Sequence, residues 1–222
     1  NSTTNLNLIY ATSGEKIISL GGSGTVTFNN NGISTTANLP LENYSIILSG
    51  TKLSITGSMI ESCKIIDSDL TQFSGSDESN VKILELYNNQ LTNIFLDKFK
   101  ALQKLVIHGN SEIVLNSTKL INICNSLANR NKKSWGSITI GNLDTLNVRN
   151  IELNFMNKNW YFGSDLIYNP EELVKIDNKL IQAGIPDFWE SAEYGKGMTA
   201  CVADGSLYQG LYNIDYENQF LG

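Results

Sequence analysis

The sequence predicts a β-rich α/β fold in which a short solenoid of repeated coils is flanked by an N-terminal β segment and a C-terminal helical or β cap. Two observations predict the solenoid: an apolar pattern recurs at a constant step, and each unit is too short to bury its own apolar residues without a neighbour. A third, strand-like alternation ahead of the repeat, predicts the flanking segment. The expected boundaries are 1–45 for the β segment, 46–162 for the solenoid and 163–222 for the C-terminal segment.

Alternating apolar residues predict strands in the N-terminal segment. Leu6, Leu8 and Tyr10 occupy every second position, as in a strand with one buried face. Asn31-Gly32 lies between two such runs, and this dipeptide favours the backbone conformation of a tight hairpin turn. We therefore expect a β-hairpin at this point.

The repeat is clearest at residues 81–91. Val81, Leu84, Leu86, Asn89 and Leu91 follow the pattern LxxLxLxxNxL, with Val in the first position. The same spacing begins at residues 60, 81 and 102, a constant step of 21 residues. The asparagine of each unit can bond backbone groups that a tight bend leaves unpaired, so Asn89 and its equivalent Asn110 are expected to be structural rather than catalytic.

A fourth unit begins at Trp135, after an insertion. Within the insertion Leu120, Ile123, Cys124 and Leu127 recur at helical spacing behind Ser117 and Thr118, which are candidate N-caps. The sequence therefore predicts a helix on the side of the coil opposite the strand.

Residues 60–142 resemble leucine-rich-repeat proteins. The stretch from Leu120 to Asn142, followed by Asn159-Trp160, is similar to a variant found in bacteriophage structural proteins and bacterial surface proteins. The resemblance implies a short leucine-rich-repeat solenoid, a virion or extracellular setting, and a role in adhesion, recognition or particle architecture.

The resemblance also implies a binding face, formed by the strand residues that alternate with the inward Leu/Ile pair. The candidate binding residues of this concave face are Lys64, Glu85, Tyr87, Lys104, Val106, His108 and Thr139. Tyr87, His108 and Val106 form a candidate amphipathic contact patch, because an aromatic ring supplies contact area at low entropic cost. The alternative is a solvated sheet face in a scaffold.

The C-terminal segment suggests a helix and, more weakly, an enzyme. Asn169-Pro170 begins a predicted capping helix.

Residues 195–205 resemble the start of a subtilisin-like protease domain, in which Asp204 would orient a histidine. Gly205-Ser206 follows where that family has Thr-Gly, and the one histidine of the chain, His108, lies upstream. A triad without its base cannot activate a serine, so we expect no enzyme.

Composition excludes several classes of partner. The formal net charge is -6, and no stripe of Lys and Arg suits a nucleic acid. Cys63, Cys124 and Cys201 are far apart without metal-ligand spacing, so we expect no metal site and no cofactor. No apolar run approaches the roughly 18 residues that membrane insertion requires.

The sequence therefore predicts a non-enzymatic structural or protein-interaction module, with a bacteriophage virion component of the tail or capsid as the leading interpretation. A bacterial cell-surface adhesion module and a fragment of a subtilisin-like serine protease are the alternatives. The expected partners are other protein subunits of an assembly or a host surface receptor. The expected location is the virion or the cell exterior.

Overall fold

The structure, a computed structural model, describes residues 3–76, 79–141 and 148–163. The chain divides into two compact units, residues 1–128 and residues 129–222. The first unit is built mainly from strands. Its strands are β1 (Thr4–Tyr10), β2 (Gly14–Gly22), β3 (Thr25–Asn30), β4 (Ile33–Asn38), β5 (Leu41–Leu48), β6 (Lys52–Gly57), β7 (Ile60–Lys64), β8 (Leu70–Gly75), β9 (Ile83–Glu85), β10 (Asn93–Ile94) and β11 (Lys104–Val106).

These strands form two mixed sheets. One sheet has six strands in the order β10-β8-β1-β6-β3-β4, and the strands that the first unit contributes to the other follow the order β11-β9-β7-β2-β5. The inward side chains of both sheets are buried, and Phe28 of β3 stacks on Tyr44 of β5 with ring centroids 5.3 Å apart. The core of this unit therefore lies between the two sheets.

The predicted hairpin at Asn31-Gly32 is confirmed. β3 and β4 pair antiparallel with Asn30 opposite Ile33, and both turn residues have positive φ, 52° at Asn31 and 86° at Gly32. Two positive φ angles give the turn a twist that matches the twist of the strands, which is why Asn-Gly is favoured there.

β7, β9 and β11 pair in parallel at the 21-residue step. Cys63 lies opposite Leu84, and Leu84 lies opposite Leu105. All three side chains are 0% exposed, which is the inward position that the apolar pattern predicts. The local periodicity of the sequence therefore determined both the register and the buried face of these three strands.

Buried asparagines join the turns that follow these strands. The Asn89 side chain accepts a hydrogen bond from the Ser68 backbone N–H at 2.9 Å and donates to the carbonyl of Ile65 at 2.8 Å. Both partners lie in the preceding turn, after β7. Asn110 makes the equivalent bonds one step further on, accepting from the Leu91 N–H at 3.0 Å and donating to the Leu86 carbonyl at 2.8 Å. The structural role predicted for both asparagines is confirmed.

The prediction of a short leucine-rich-repeat solenoid with flanking segments is nevertheless wrong as the fold class. A solenoid repeats one coil along its length, whereas here antiparallel strands of the N-terminal segment belong to the same two sheets as the parallel ones. β1 pairs antiparallel with both β6 and β8, and β2 pairs antiparallel with both β5 and β7. The repeat pattern described three neighbouring strands correctly, but long-range pairing with the N-terminal strands builds the sheets.

Three short helices occur among the described residues: α1 (Ser111–Val114), α2 (Ser117–Ser126) and α3 (Val148–Met156). α2 confirms the helix predicted from the insertion, and it buries Leu120, Ile123 and Cys124. Its cap differs from the prediction, because the Asn116 side chain, rather than Ser117 or Thr118, accepts a hydrogen bond from the backbone N–H of the third helical residue, at 3.1 Å.

The second unit contains α3 and two strands, β12 (Gly136–Thr139) and β13 (Trp160–Gly163), which pair in parallel with Gly136 opposite Trp160. Trp160 is fully buried, and a Cβ atom at Gly136 would lie 2.5 Å from its ring, so only glycine allows this contact. The predicted helix at Asn169 and the candidate Asp204 lie outside the described residues.

Candidate functional site

The outer face of the second sheet carries most of the predicted binding residues. Lys64 lies opposite Glu85, and Ile83 lies opposite Lys104, in the parallel register of β7, β9 and β11. Because successive side chains of a strand point to opposite faces, residues that alternate with the buried Cys63, Leu84 and Leu105 share the outer face. The register and the alternation therefore place Lys64, Glu85 and Lys104 on one face of the sheet.

Opposite charges pair on this face. The Lys104 ammonium lies 2.9 Å from the Glu85 carboxylate, and both side chains are 23% exposed. Lys64, the neighbour of Glu85 on β7, is exposed. Half-exposed pairs of this kind contribute little to stability, on the order of 1 kcal/mol or less, but they set the charge pattern that a partner meets.

An aromatic pair adjoins these charges. The rings of Tyr87 and His108 stack with centroids 4.5 Å apart and an interplanar angle of 19°. The Nδ1 atom of His108 is buried and has no hydrogen-bond partner among the described residues. The two rings are half-buried, so they form a flat surface that stacking holds in place.

Two of the predicted binding residues are not available on any surface. Val106 is 2% exposed and Thr139 is 3% exposed. Val106 lies opposite Glu85 in register, as expected, but strand alternation alone does not reveal what covers a side chain. Both are therefore removed from the set of candidate contact residues.

The structure adds two residues of the N-terminal strands that the sequence did not suggest. Ile17 of β2 is 40% exposed and Ile47 of β5 is 76% exposed. β2 pairs antiparallel with β7, with Ser19 opposite Lys64, and Ile17 and Ile66 line the same cavity beyond the end of this pairing. The consecutive isoleucines Ile17 and Ile18 could have indicated an exposed apolar residue, since one of two consecutive strand residues must face outward.

Together these side chains form a row: Ile47 and Ile17 lie on β5 and β2, and Ile66, Tyr87 and His108 each lie two residues beyond the end of β7, β9 or β11. We call it the sheet-face stripe and define it as Ile47, Ile17, Ile66, Tyr87 and His108. Ile17 lies opposite Ser45 and Ile47 lies opposite Glu15, so the two isoleucines are diagonal neighbours on one face.

An open cavity of about 450 Å³ lies at the stripe, lined in part by Ile17 and Ile66. Its polar wall is a cluster made of Thr12, Lys16 and Asp69. The Lys16 ammonium lies 2.6 Å from one Asp69 carboxylate oxygen and 3.1 Å from the Thr12 hydroxyl, and that hydroxyl donates to the other Asp69 oxygen at 2.5 Å. Lys16 is 6% exposed, so this cluster gives a buried ammonium its counter-charge.

The cluster shifts the ionisation of its members. Burial acts to raise the pKa of Asp69, but hydrogen bonds from Lys16 and Thr12 and the charge of Lys16 outweigh it and lower the pKa below 3.8. Burial raises the pKa of the neighbouring Tyr10 phenol well above its usual range, with smaller contributions from Cys63 and Asp69. Burial also raises the pKa of the Cys63 thiol to about 12. Cys63 and Tyr10 therefore stay neutral, and neither is activated as a nucleophile.

Neither a metal site nor a membrane-spanning helix occurs among the described residues 3–76, 79–141 and 148–163. No group of three or more His, Cys, Asp or Glu side chains is arranged to hold a metal ion in this part of the chain. Within the same residues, no helix has the length and apolar character needed to span a membrane.

Comparison of the chain with models of protein families, with curated proteins and with solved structures gives no match.

Proposed function

We propose that this chain is a non-enzymatic structural or protein-interaction module whose contact surface is the sheet-face stripe. The observation that supports it is the pair of exposed isoleucines, Ile17 at 40% and Ile47 at 76%, in the same row as the stacked rings of Tyr87 and His108. Single exposed apolar residues are ordinary on a protein surface, whereas a contiguous row of them marks an interaction site.

Polar groups surround the stripe in the manner of an interface rim. The Lys104–Glu85 pair and Lys64 lie on one side of it, and Glu15 and Asp67 line the cavity at its other side. Protein interfaces combine an apolar and aromatic centre with a polar rim that stays solvated. In this proposal Tyr87 is the aromatic anchor and the charges select the orientation of the partner.

The proposed partner is another protein subunit of an assembly. The proposed setting is a virion, in which the chain is a tail or capsid-associated component, and it rests on the resemblance of the stretch from Leu120 to Asn142 to phage structural repeats. A bacterial cell surface, where the partner is a host receptor, is the alternative setting.

Site-specific photo-crosslinking tests the contact surface in the particles or cells that produce the chain. A photoreactive residue at Ile17, Ile47 or Tyr87 is expected to form an adduct with one and the same partner protein. Leu115 is the control position, because it is 55% exposed and lies outside the stripe. Equal adducts from Leu115, or none from the three stripe positions, would contradict the proposal.

A matched variant separates binding from folding. The double substitution Ile17→Ser with Ile47→Ser should abolish the adduct at Tyr87 and leave the melting temperature within a few degrees, because exposed side chains contribute little to stability. Loss of the fold in this variant would mean that the stripe is part of the core.

The absence of enzyme activity has its own test. A fluorophosphonate serine-hydrolase probe is expected not to label the chain, because a triad without a histidine after Asp204 has no base. Labelling that disappears in Asp204→Asn would contradict the non-enzymatic proposal and support the protease alternative.

A further inference from the structure

A second cavity lies away from the sheet-face stripe, between the edge strand β10 and helix α2. Its volume is about 190 Å³, and Ile113 and Ile123 supply apolar walls. It shares no residue with the stripe. The cavity is smaller than the roughly 300 Å³ at which sites for drug-sized ligands begin, so it fits a small ligand rather than a peptide segment.

An exposed aromatic ring borders this cavity. Phe95 is 51% exposed, whereas its neighbour Ile94 is 8% exposed and belongs to the core. The Phe95 backbone N–H donates to the carbonyl of Phe73 at 2.9 Å, which anchors the chain to β8. The ring lines the cavity from a backbone position that is hydrogen-bonded to β8, although leaving it in water has a free-energy cost.

Polar side chains line the cavity together with the ring. Asn93, Asp97 and Asn122 also line the cavity, Asn93 from β10 and Asn122 from α2. All three are exposed. Lys119 of α2 also lines the cavity, so two amides, one carboxylate and one ammonium supply acceptors and donors on both of its walls.

We propose that this cavity binds a saccharide, with one sugar ring stacked on Phe95. The C–H groups on one face of a pyranose carry partial positive charge and pack on the negative face of an aromatic ring. The hydroxyl groups around the sugar both donate and accept hydrogen bonds, which is the combination that Asn93, Asn122 and Asp97 together can satisfy. A peptide would need a longer apolar groove or an extended free strand edge, and β10 has two residues.

The test uses the full chain and a panel of methyl glycosides of glucose, galactose, mannose and N-acetylglucosamine, titrated to millimolar concentration by ligand-observed NMR. At least one glycoside should bind. Phe95→Ala should weaken that binding by roughly tenfold or more, because the stacking face is lost. Phe95→Tyr keeps a flat ring and should retain the affinity, and an unchanged melting temperature of Phe95→Ala would show that its weaker binding is not a folding defect.

Two further variants sharpen the result. Asn122→Ala should weaken binding severalfold through the lost hydrogen bonds, and Leu115→Ala, an exposed apolar residue outside the cavity, should leave it unchanged. The proposal is overturned if no glycoside in the panel binds, or if Phe95→Ala binds with unchanged affinity. The stripe variant Ile17→Ser with Ile47→Ser should still bind the sugar, so the failure of one proposal is distinguishable from the failure of the other.

Discussion

The antiparallel strands of residues 4–57 and the parallel strands β7, β9 and β11 are neighbours in the same sheets but are held in register by different means. In the antiparallel region a tight turn sets the register, as at Asn31-Gly32 between β3 and β4. In the parallel region the strands are far apart in sequence, and buried side-chain amides join the turn of one strand to that of the next.

Asparagine side chains therefore matter to a different degree in the two regions. Asn29 accepts one hydrogen bond at an exposed turn, from the Gly32 N–H at 3.0 Å. Asn89 is 7% exposed and bonds to five backbone groups, those of Ser68, Leu70, Ile65, Leu86 and Tyr87. A side chain that satisfies buried backbone groups cannot be replaced by water, whereas one at an exposed turn can.

The largest expected effect comes from removing an asparagine in each region. Asn89→Ala should lower the free energy of unfolding by about 3 kcal/mol, because several buried backbone groups lose their partner. Asn29→Ala should lower it by less than about 1 kcal/mol, because water replaces its exposed bond. Denaturant titration with unchanged m values measures both. Equal losses of unfolding free energy in the two variants would show that the buried asparagines do not distinguish the two regions.

A smaller effect is expected from a pair of glycines. Gly109 has φ of 74°, and a Cβ atom there would lie 2.9 Å from the Cα of Asn88 in the adjacent turn. Gly24 has φ of 82° with open space around it. Gly24→Ala should cost about 1 kcal/mol, from the backbone conformation alone, and Gly109→Ala about 2 kcal/mol, because the clash adds to it. Thermal melts of the two variants give the comparison, and a Gly24 variant as unstable as the Gly109 variant would argue against close packing of the turns.

The smallest effect concerns the Lys16–Asp69 pair, which links β2 of the antiparallel region to the turn after β7. The pKa of Asp69 is lower in the folded chain than its ordinary value of 3.8, so protons bind the unfolded chain first as the pH falls. The stabilisation is therefore complete well above pH 3.8 and is lost as the pH falls through the folded pKa.

Unfolding free energies measured between neutral pH and about pH 3 should show this decline, and Asp69→Asn should reduce its slope. Asp67→Asn removes a carboxylate from the same turn without touching the bonds to Lys16, so it is the matched control. An Asp69→Asn variant with the slope of the unsubstituted chain would mean that the pair does not couple the two regions.

Local sequence patterns predicted part of the candidate site. Alternation on β7, β9 and β11 was sufficient to group Lys64, Glu85 and Lys104 on one face. It did not anticipate that Ile17 and Ile47 extend this face, because the pairing of β2 with β7 is not encoded in any short stretch. It also did not predict that Val106 and Thr139 are buried, since burial depends on what packs over a strand.

The sequence pattern also did not single out the exposed ring of Phe95. Ile94 fits the continuation of the repeat pattern, and the pattern predicts no role for Phe95. The cavity is lined by both Phe95 and Asn122 of α2, although β11 and α1 separate these residues along the chain. Sequence spacing carries no information about such an arrangement.

By itself, the sequence determined the features that depend on neighbours along the chain: the Asn-Gly hairpin, the 21-residue step of three strands, the inward position of their apolar residues and the helix after Asn116. The tertiary structure decided the rest, including the mixed sheets, the burial of Lys16 against Asp69 and the two candidate surfaces. The physical reason is that side-chain periodicity selects the buried face of a strand, whereas the choice of pairing partner depends on contacts between segments distant in sequence.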